Sequence, residues 1–319
     1  MERQNLHTEY GTTAIYTSGR YSKYPIVHVH GGPGFPDHSI IDSNLAESYD
    51  IIAYDQYGCG QSTELESGTY DISKFTSQLD EVISAYANQG AILYGSSWGT
   101  MVIAAYIQEY GTDKVRCIIL SGPFLDSRYH NELSMKRIGE LPEPFSSELK
   151  RCIEEDVTGE ELYIAQRPYM YEYYAFGDED RVDFYWCSTT TSYRELWGKS
   201  ELVCTGKAKD YDYSHALDGI PIPVIIKMGD HDIMEVSKVH DIAQEIPDCT
   251  IIVAHNCGHS AGGTSNDLLS EILAQKTMDG YVSHKCPLTL KIRNFNPCGY
   301  DIEKIRQQGY RIQLDPNND

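Results

Sequence analysis

Ser97, in the run Gly95-Ser96-Ser97-Trp98-Gly99, carries the side chain of this sequence best placed to act as a nucleophile. An alcohol is a poor nucleophile at neutral pH, so it needs a base, and the base needs an orienting group. Histidine suits the base because its unperturbed pKa of ~6.5 lies near working pH. His259 stands in the glycine-flanked stretch Asn256-Cys257-Gly258-His259-Ser260, where a ring can swing over a serine. A carboxylate that would fix the imidazole tautomer is offered twice in Gly229-Asp230-His231-Asp232, and spacing alone does not choose between Asp230 and Asp232. His231 and His255 are rival bases. The first is too close to its own acid to bridge to Ser97, and the second ends a strand.

The elements around these residues are those the chemistry requires. Ala91-Ile92-Leu93-Tyr94 is a short apolar run bounded by glycines, and 101–107 has the residue types of a buried helix. Strand, tight turn and helix around Gly-x-Ser-x-Gly make a nucleophile elbow, with the Trp98 N–H at the helix start aimed at a developing oxyanion. Further strands are expected at 25–30, 51–54, 115–120, 224–228 and 250–254, with helices near 72–88, 236–246 and 264–276. Residues 6–18 read as an N-terminal hairpin. This alternation predicts an α/β architecture, a mostly parallel sheet with helices on both faces. Gly31-Gly32, at the end of the strand over 25–30, lets backbone N–H groups approach a substrate closely. His28 and His30 share a strand face with nothing nearby to complete a metal site, so one is expected to pack and the other to orient the loop. The order serine, acid, histidine, each after a strand, is that of the α/β-hydrolase fold.

From 124 to 217 strand-like runs vanish and aromatic residues crowd together: Tyr163, Tyr169, Tyr171, Tyr173, Tyr174, Phe176, Phe184, Tyr185 and Trp186. The stretch reads as a mainly helical cap, inserted between core segments 1–123 and 218–276, that excludes water from the site. Most of its aromatics are expected to pack the cap's own core, a few to reach the pocket. The extension 277–319 holds a strand candidate at 287–292 and a short helix at 301–308. It is expected to pad the sheet's edge or to meet a second copy in a homo-oligomer. Cys286 and Cys298 are too few for a zinc site.

Bulk properties narrow the function. At 319 residues, 41% hydrophobic and 23% charged, the chain can bury a large core. A net charge of −21 repels nucleic acid and anionic lipid. No uncharged apolar run approaches the ~20 residues a membrane span needs, and the N-terminus lacks the apolar segment of a signal peptide. Nine cysteines without a Cys-x-x-Cys pair fit reduced thiols in a cytoplasmic protein.

Five motifs together resemble the proline iminopeptidases, prolyl aminopeptidases of α/β-hydrolase fold related to the tricorn-interacting aminopeptidase. They are His30-Gly31-Gly32-Pro33-Gly34, Asp55-Gln56-Tyr57-Gly58-Cys59-Gly60-Gln61-Ser62, Gly95-Ser96-Ser97-Trp98-Gly99, Gly229-Asp230-His231-Asp232 and Gly258-His259-Ser260. The resemblance covers about residues 10–276. It implies Ser97 as nucleophile, Asp232 as acid, His259 as base, and the N–H groups of Gly32 and Trp98 as oxyanion donors. It also reaches Trp197-Gly198-Lys199-Ser200-Glu201, followed by Thr205-Gly206 and Lys209-Asp210, which is similar to the family segment whose glutamate meets the substrate's free amino group. Two departures stand out. Ile233 occupies the place of a second glutamate, with Glu235 two residues further on, and Tyr57 replaces the family's arginine.

The expected function is therefore a serine hydrolase releasing an N-terminal residue, proline or small apolar, from short peptides or amides through an acyl-enzyme. Gly31 and Glu201 would contact substrate, and no metal or organic cofactor is needed. The alternative is an esterase, lactonase or amidase using the same residues on a small metabolite; Ile233 favours it and Glu201 opposes it. A ligand-binding protein that keeps the fold without turnover is disfavoured because all three reactive positions hold competent residues.

Overall fold

Aliphatic runs that are apolar on both faces belong in a sheet covered on both sides. The computed structural model, which describes residues 2–175, 190–254, 257–259, 266–278, 289–293 and 311–314, is built this way. A hairpin of β1 (Glu2–Thr8) and β2 (Gly11–Thr17) precedes β3 (Ile26–Val29), β4 (Ile51–Tyr54), β5 (Ala91–Ser96) and β6 (Val115–Ser121). Then come β7 (Val224–Gly229), β8 (Cys249–Ala254), β9 (Thr289–Arg293) and β10 (Arg311–Leu314). They form one sheet in the order β1-β2-β4-β3-β5-β6-β7-β8-β9-β10, parallel throughout except for the β1–β2 and β2–β4 pairs. The chain passes from β3 to β4 on one side and then crosses to β5 on the other. The loops after β3 and β5 therefore part at a topological switch point, where open parallel sheets bind ligands.

The two-residue period of the strands sorts the core into two layers. Val27, Val29, Leu93, Ile118 and Leu120 face α1 (Ile72–Tyr86) and α2 (Trp98–Tyr110), while Ile26, Ile51, Ile92, Ile119 and Ile225 face the opposite layer. Asp71 caps α1 by accepting the Ser73 N–H at 3.0 Å, and Ile72, Phe75, Leu79, Val82 and Ile83 make its buried face. In α2 every residue from Trp98 to Ile107 is buried, as befits a helix apolar all round.

Between β6 and β7 the described chain is helical: α3 (Ser127–Glu140), α4 (Phe145–Glu154), α5 (Glu160–Met170), a π-helical turn Tyr171–Ala175, and α6 (Thr191–Leu196). Its β-pairing among the described residues is limited to the bridges Asp126–Asp212 and Ser200–Val203. Tyr169 and Tyr174 are buried and Tyr171 is exposed; Phe176, Phe184, Tyr185 and Trp186 lie outside the described residues. After β7 come α7 (Val236–Gln244) and α8 (Asn266–Thr277), whose Leu269, Ile272 and Leu273 close the second layer.

The sheet does not finish at 276. β9 pairs with β8 and β10 with β9, so the extension lengthens the edge by two parallel strands. The helix expected at 301–308, and Cys286 and Cys298, lie outside the described residues. No helix among the described residues is long and apolar enough to cross a membrane.

Candidate active site

Ser97 ends the turn between β5 and α2 with φ +51° and ψ −119°, a left-handed conformation that a side-chain-bearing residue rarely adopts. The flanking glycines make this turn possible. A Cβ on Gly95 would lie 2.7 Å from the Gly99 carbonyl oxygen, and one on Gly99 would lie 2.0 Å from that of Val29. Helix and strands cross too closely for any side chain there. The Ser97 N–H is tied to the Ser121 carbonyl at 2.9 Å, fixing the turn to the neighbouring strand.

The structure brings Ser97, His259 and Asp232 together. His259 Nε2 lies 2.9 Å from Ser97 Oγ, and its Nδ1 lies 2.6 Å from Asp232 Oδ1. Asp232 is fully buried and also accepts the N–H groups of Ile233 (2.7 Å) and Gly229 (3.3 Å). With a carboxylate on Nδ1–H, the Nε2 lone pair is the one that faces the serine hydroxyl. Asp230 is used differently. It accepts the Cys257 N–H at 3.1 Å and so braces the histidine loop from beneath. His231 turns to Glu172 at 3.3 Å, away from Ser97, and His255 lies outside the described residues.

Two glycines outside the serine motif also serve the geometry. Gly229 is so close to the histidine loop that a Cβ would lie 2.0 Å from the Cys257 oxygen. Gly122, just past β6, has φ +57°, and a Cβ there would be 2.8 Å from His259 Cε1. Gly122 is not among the residues singled out from the sequence. Its position beyond the strand next to the elbow was the available signal.

The loop after β3 lies against the elbow, with Gly31 near enough that a Cβ would be 3.3 Å from that of Ser97. Trp98 opens α2, so its N–H belongs to the first turn, whose donors have no helical partner. Gln56, fully buried, joins the two segments. Its amide accepts from Trp98 Nε1 at 3.1 Å and donates to the His30 carbonyl at 2.7 Å. The Gln56 N–H meets His30 Nε2 at 3.0 Å, so the ring proton sits on Nδ1, which donates to the Gly31 carbonyl at 2.8 Å. Burial lowers the basicity of His30 and pushes His28 down to about 4, leaving both rings neutral. His28 packs beside Ser96, with Nε2 3.1 Å from Oγ.

From the inserted segment, Glu201 approaches the opposite side. Its carboxylate accepts a hydrogen bond from the buried Tyr193 hydroxyl, and the Tyr174 hydroxyl reaches its carbonyl at 3.3 Å. Burial raises its pKa to about 7, against the opposing pull of the Tyr193 hydroxyl and of His259. The Tyr174 ring stands edge-on to His259 with centroids 5.3 Å apart. His130 on α3 is fully buried beside Phe124 and Trp197, with centroids at 5.2 and 5.6 Å. Burial, then the nearby His259 and Arg137, hold it at about 3, and neither ring nitrogen has a hydrogen-bond partner among the described residues. Lys209 and Asp210 are exposed and stand apart. Ile233 is buried, while Glu235 accepts the Tyr129 hydroxyl at 2.7 Å at the start of α7. Tyr57 turns its hydroxyl to Thr8 of the hairpin at 2.6 Å.

One cluster of metal-type ligand atoms occurs among the described residues: Glu148, Cys152 and Glu161. Its charge is already met by Arg151, which hydrogen-bonds both carboxylates and that of Glu155.

Comparison with known proteins agrees with this architecture. A family model described as alpha/beta hydrolase fold matches residues 24–264. A proline iminopeptidase of Thermoplasma volcanium is 25% identical over 261 residues, 79% of this chain and 88% of its own length. The crystal structure of VinJ superposes with a TM-score of 0.75 at 21% identity, covering 85% of this chain and 96% of VinJ. That of a Mycobacterium smegmatis proline iminopeptidase gives 0.72 at 19% identity, covering 86% and 97%. This chain thus belongs to the α/β-hydrolase fold family, and among its members it resembles the proline iminopeptidases.

Proposed function

We propose that the protein is a serine hydrolase that releases an N-terminal residue, proline or another small apolar one, from short peptides or amides. The observation carrying this reading is the continuous run from Ser97 Oγ through His259 to the buried Asp232, at 2.9 and 2.6 Å, with the Glu201 carboxylate beside it. Ser97 Oγ attacks the scissile carbonyl carbon as His259 Nε2 takes its proton, and Asp232 stabilises the imidazolium. The N–H groups of Gly32 and Trp98 receive the oxyanion. Collapse breaks the C–N bond, the imidazolium protonates the leaving amine, and water then hydrolyses the acyl-enzyme by the reverse sequence. No metal or organic cofactor takes part.

Glu201 supplies the preference for a free N-terminus. A desolvated carboxylate gains most from a partner that arrives as a cation, and a blocked amine leaves it unpaired. The helices between β6 and β7, with Gly31 at the pocket floor, act as a cap that admits small substrates. The free thiols of Cys59, Cys117, Cys152, Cys204, Cys249 and Cys257 support a reducing, cytoplasmic setting.

A panel of prolyl and alanyl anilides, free and N-acetylated, tests the reading. Free amines are cleaved and acetylated ones are not; equal rates on both would exclude an ammonium-reading pocket. A second reading, an esterase, lactonase or amidase, is favoured by one observation. Ile233 is buried and Glu235 is engaged by Tyr129, so neither supplies a second anchor for an ammonium. Acyl esters turned over faster than every free-amine anilide would favour it.

A further inference from the structure

The inserted helices touch the reactive residues through a contact that substrate binding does not require. Arg137 of α3 is 9% exposed, and its Nη1 donates to the main-chain carbonyl of Asp232 at 2.9 Å. The same guanidinium lies over the Tyr173 ring, 4.1 Å from its centroid. Tyr173 belongs to the π-helical turn Tyr171–Ala175, and its carbonyl accepts the His259 N–H at 2.9 Å. The turn is pressed against the histidine loop so closely that a Cβ on Gly258 would lie 2.6 Å from the Tyr174 oxygen. Pro168, inside α5, has no N–H to donate to the preceding turn, and the helix widens into the π-helical turn three residues after it. Tyr169 backs the Tyr173 ring at 4.7 Å and reaches Ser134 of α3 through its hydroxyl at 3.1 Å.

One buried cation thus links the loop carrying Asp232 to the turn that seats His259. We infer that Arg137 is a positioning residue: with the π-helical turn, it holds the Asp232 and His259 loops at a fixed offset, so that docking of the inserted helices sets the reactivity of Ser97. The inference rests on the serine-hydrolase reading but not on the choice of substrate. Arginine suits the place because its planar group stacks on a ring while donating in its own plane. A lysine ammonium does one or the other. A charge-assisted bond to a carbonyl is also directional enough to fix a loop.

The test uses a reagent indifferent to the amine pocket. Labelling of Ser97 by a small fluorophosphonate is followed in wild type, Arg137→Lys, Arg137→Met, Tyr173→Phe and Tyr173→Leu, each rate normalised to the folded fraction from circular dichroism. In parallel, kcat and KM are measured on a small acyl ester. Both Arg137 variants and Tyr173→Leu lower the labelling rate and kcat about 10- to 100-fold with KM within about twofold, the scale of a small misplacement of reacting groups. Tyr173→Phe, which keeps the stacking face, stays near wild type. Wild-type labelling rates in folded Arg137→Met, or a change confined to KM, would overturn the proposal. If Arg137→Met does not fold, Tyr173→Leu decides, and a wild-type rate there overturns it. An unlabelled wild-type protein would sink the hydrolase reading as well, whereas a labelled wild type with unaffected variants removes this inference alone.

Discussion

On the sheet side of Ser97 the geometry is set by side chains that are missing, and on the side of the inserted helices by side chains that are long. Gly95, Gly99, Gly122 and Gly229 bring backbone to backbone, or backbone to ring, at separations no other residue permits. Across the site, Arg137, Tyr173, Tyr174, Tyr193 and Glu201 reach in from helices and turns. The first kind of construction fixes the reacting atoms in one place. The second braces the loops of Asp232 and His259 through Arg137 and Tyr173 and places the Glu201 carboxylate at the site.

The comparison breaks most sharply at the two aspartates. Asp232→Asn lowers kcat by about 10⁴-fold, because the amide stabilises the wrong imidazole tautomer. Asp230→Asn, which keeps an acceptor for the Cys257 N–H, costs only a few-fold on the same substrate. A comparable loss in both, measured by steady-state kinetics, would mean the histidine loop matters as much as its partner.

Next in size is Gly99→Ala, which adds a single methyl group at the crossing of helix and strand. A Cβ 2.0 Å from the Val29 oxygen cannot be absorbed without moving strand or helix, so stability falls by about 3 kcal/mol or more. Urea unfolding checks this, and a variant within about 1 kcal/mol of wild type would show the crossing to be looser than drawn.

The smallest effect sharpens the other side. With its pKa raised to about 7, Glu201 loses its charge as pH falls, and a neutral carboxyl cannot pair with an ammonium. The kcat/KM ratio of free-amine anilide to acyl ester therefore falls about tenfold between about pH 8 and pH 6. Taking the ratio cancels the titration of groups that both substrates share. Glu201→Gln flattens that dependence and leaves the ester unaffected. A ratio still sloping in this variant would assign the dependence to another group.

What was legible in the sequence follows the same division. Glycine spacing around Ser97, and the strand runs at 91–94, 224–228 and 250–254, announced the sheet, because their period is local and their conformational demand is specific to a residue type. The choice between Asp230 and Asp232 was not local. It depends on which carboxylate the loop turns inward, and the structure shows the outer one closing the loop through Cys257. Arg137 was silent for a similar reason: a cation on a helix reads as a solvated charge until Tyr173 and the Asp232 carbonyl are brought to it. In the extension after 276 the strand expected at 287–292 is found at the sheet's edge as Thr289–Arg293, whereas Arg311–Leu314 went unread, since a short strand of mixed polarity declares itself only through its neighbour; for Thr289–Arg293 that neighbour is β8.

That neighbour has a consequence for handling the protein. All six residues of β8 are buried, and β9 occupies its outer backbone rim. Cutting the chain at 276 would bare a hydrophobic strand with its N–H and C=O groups unanswered, an open template for stacking copies end on end. The final two strands thus work as a selvedge, keeping the woven sheet from joining to the next.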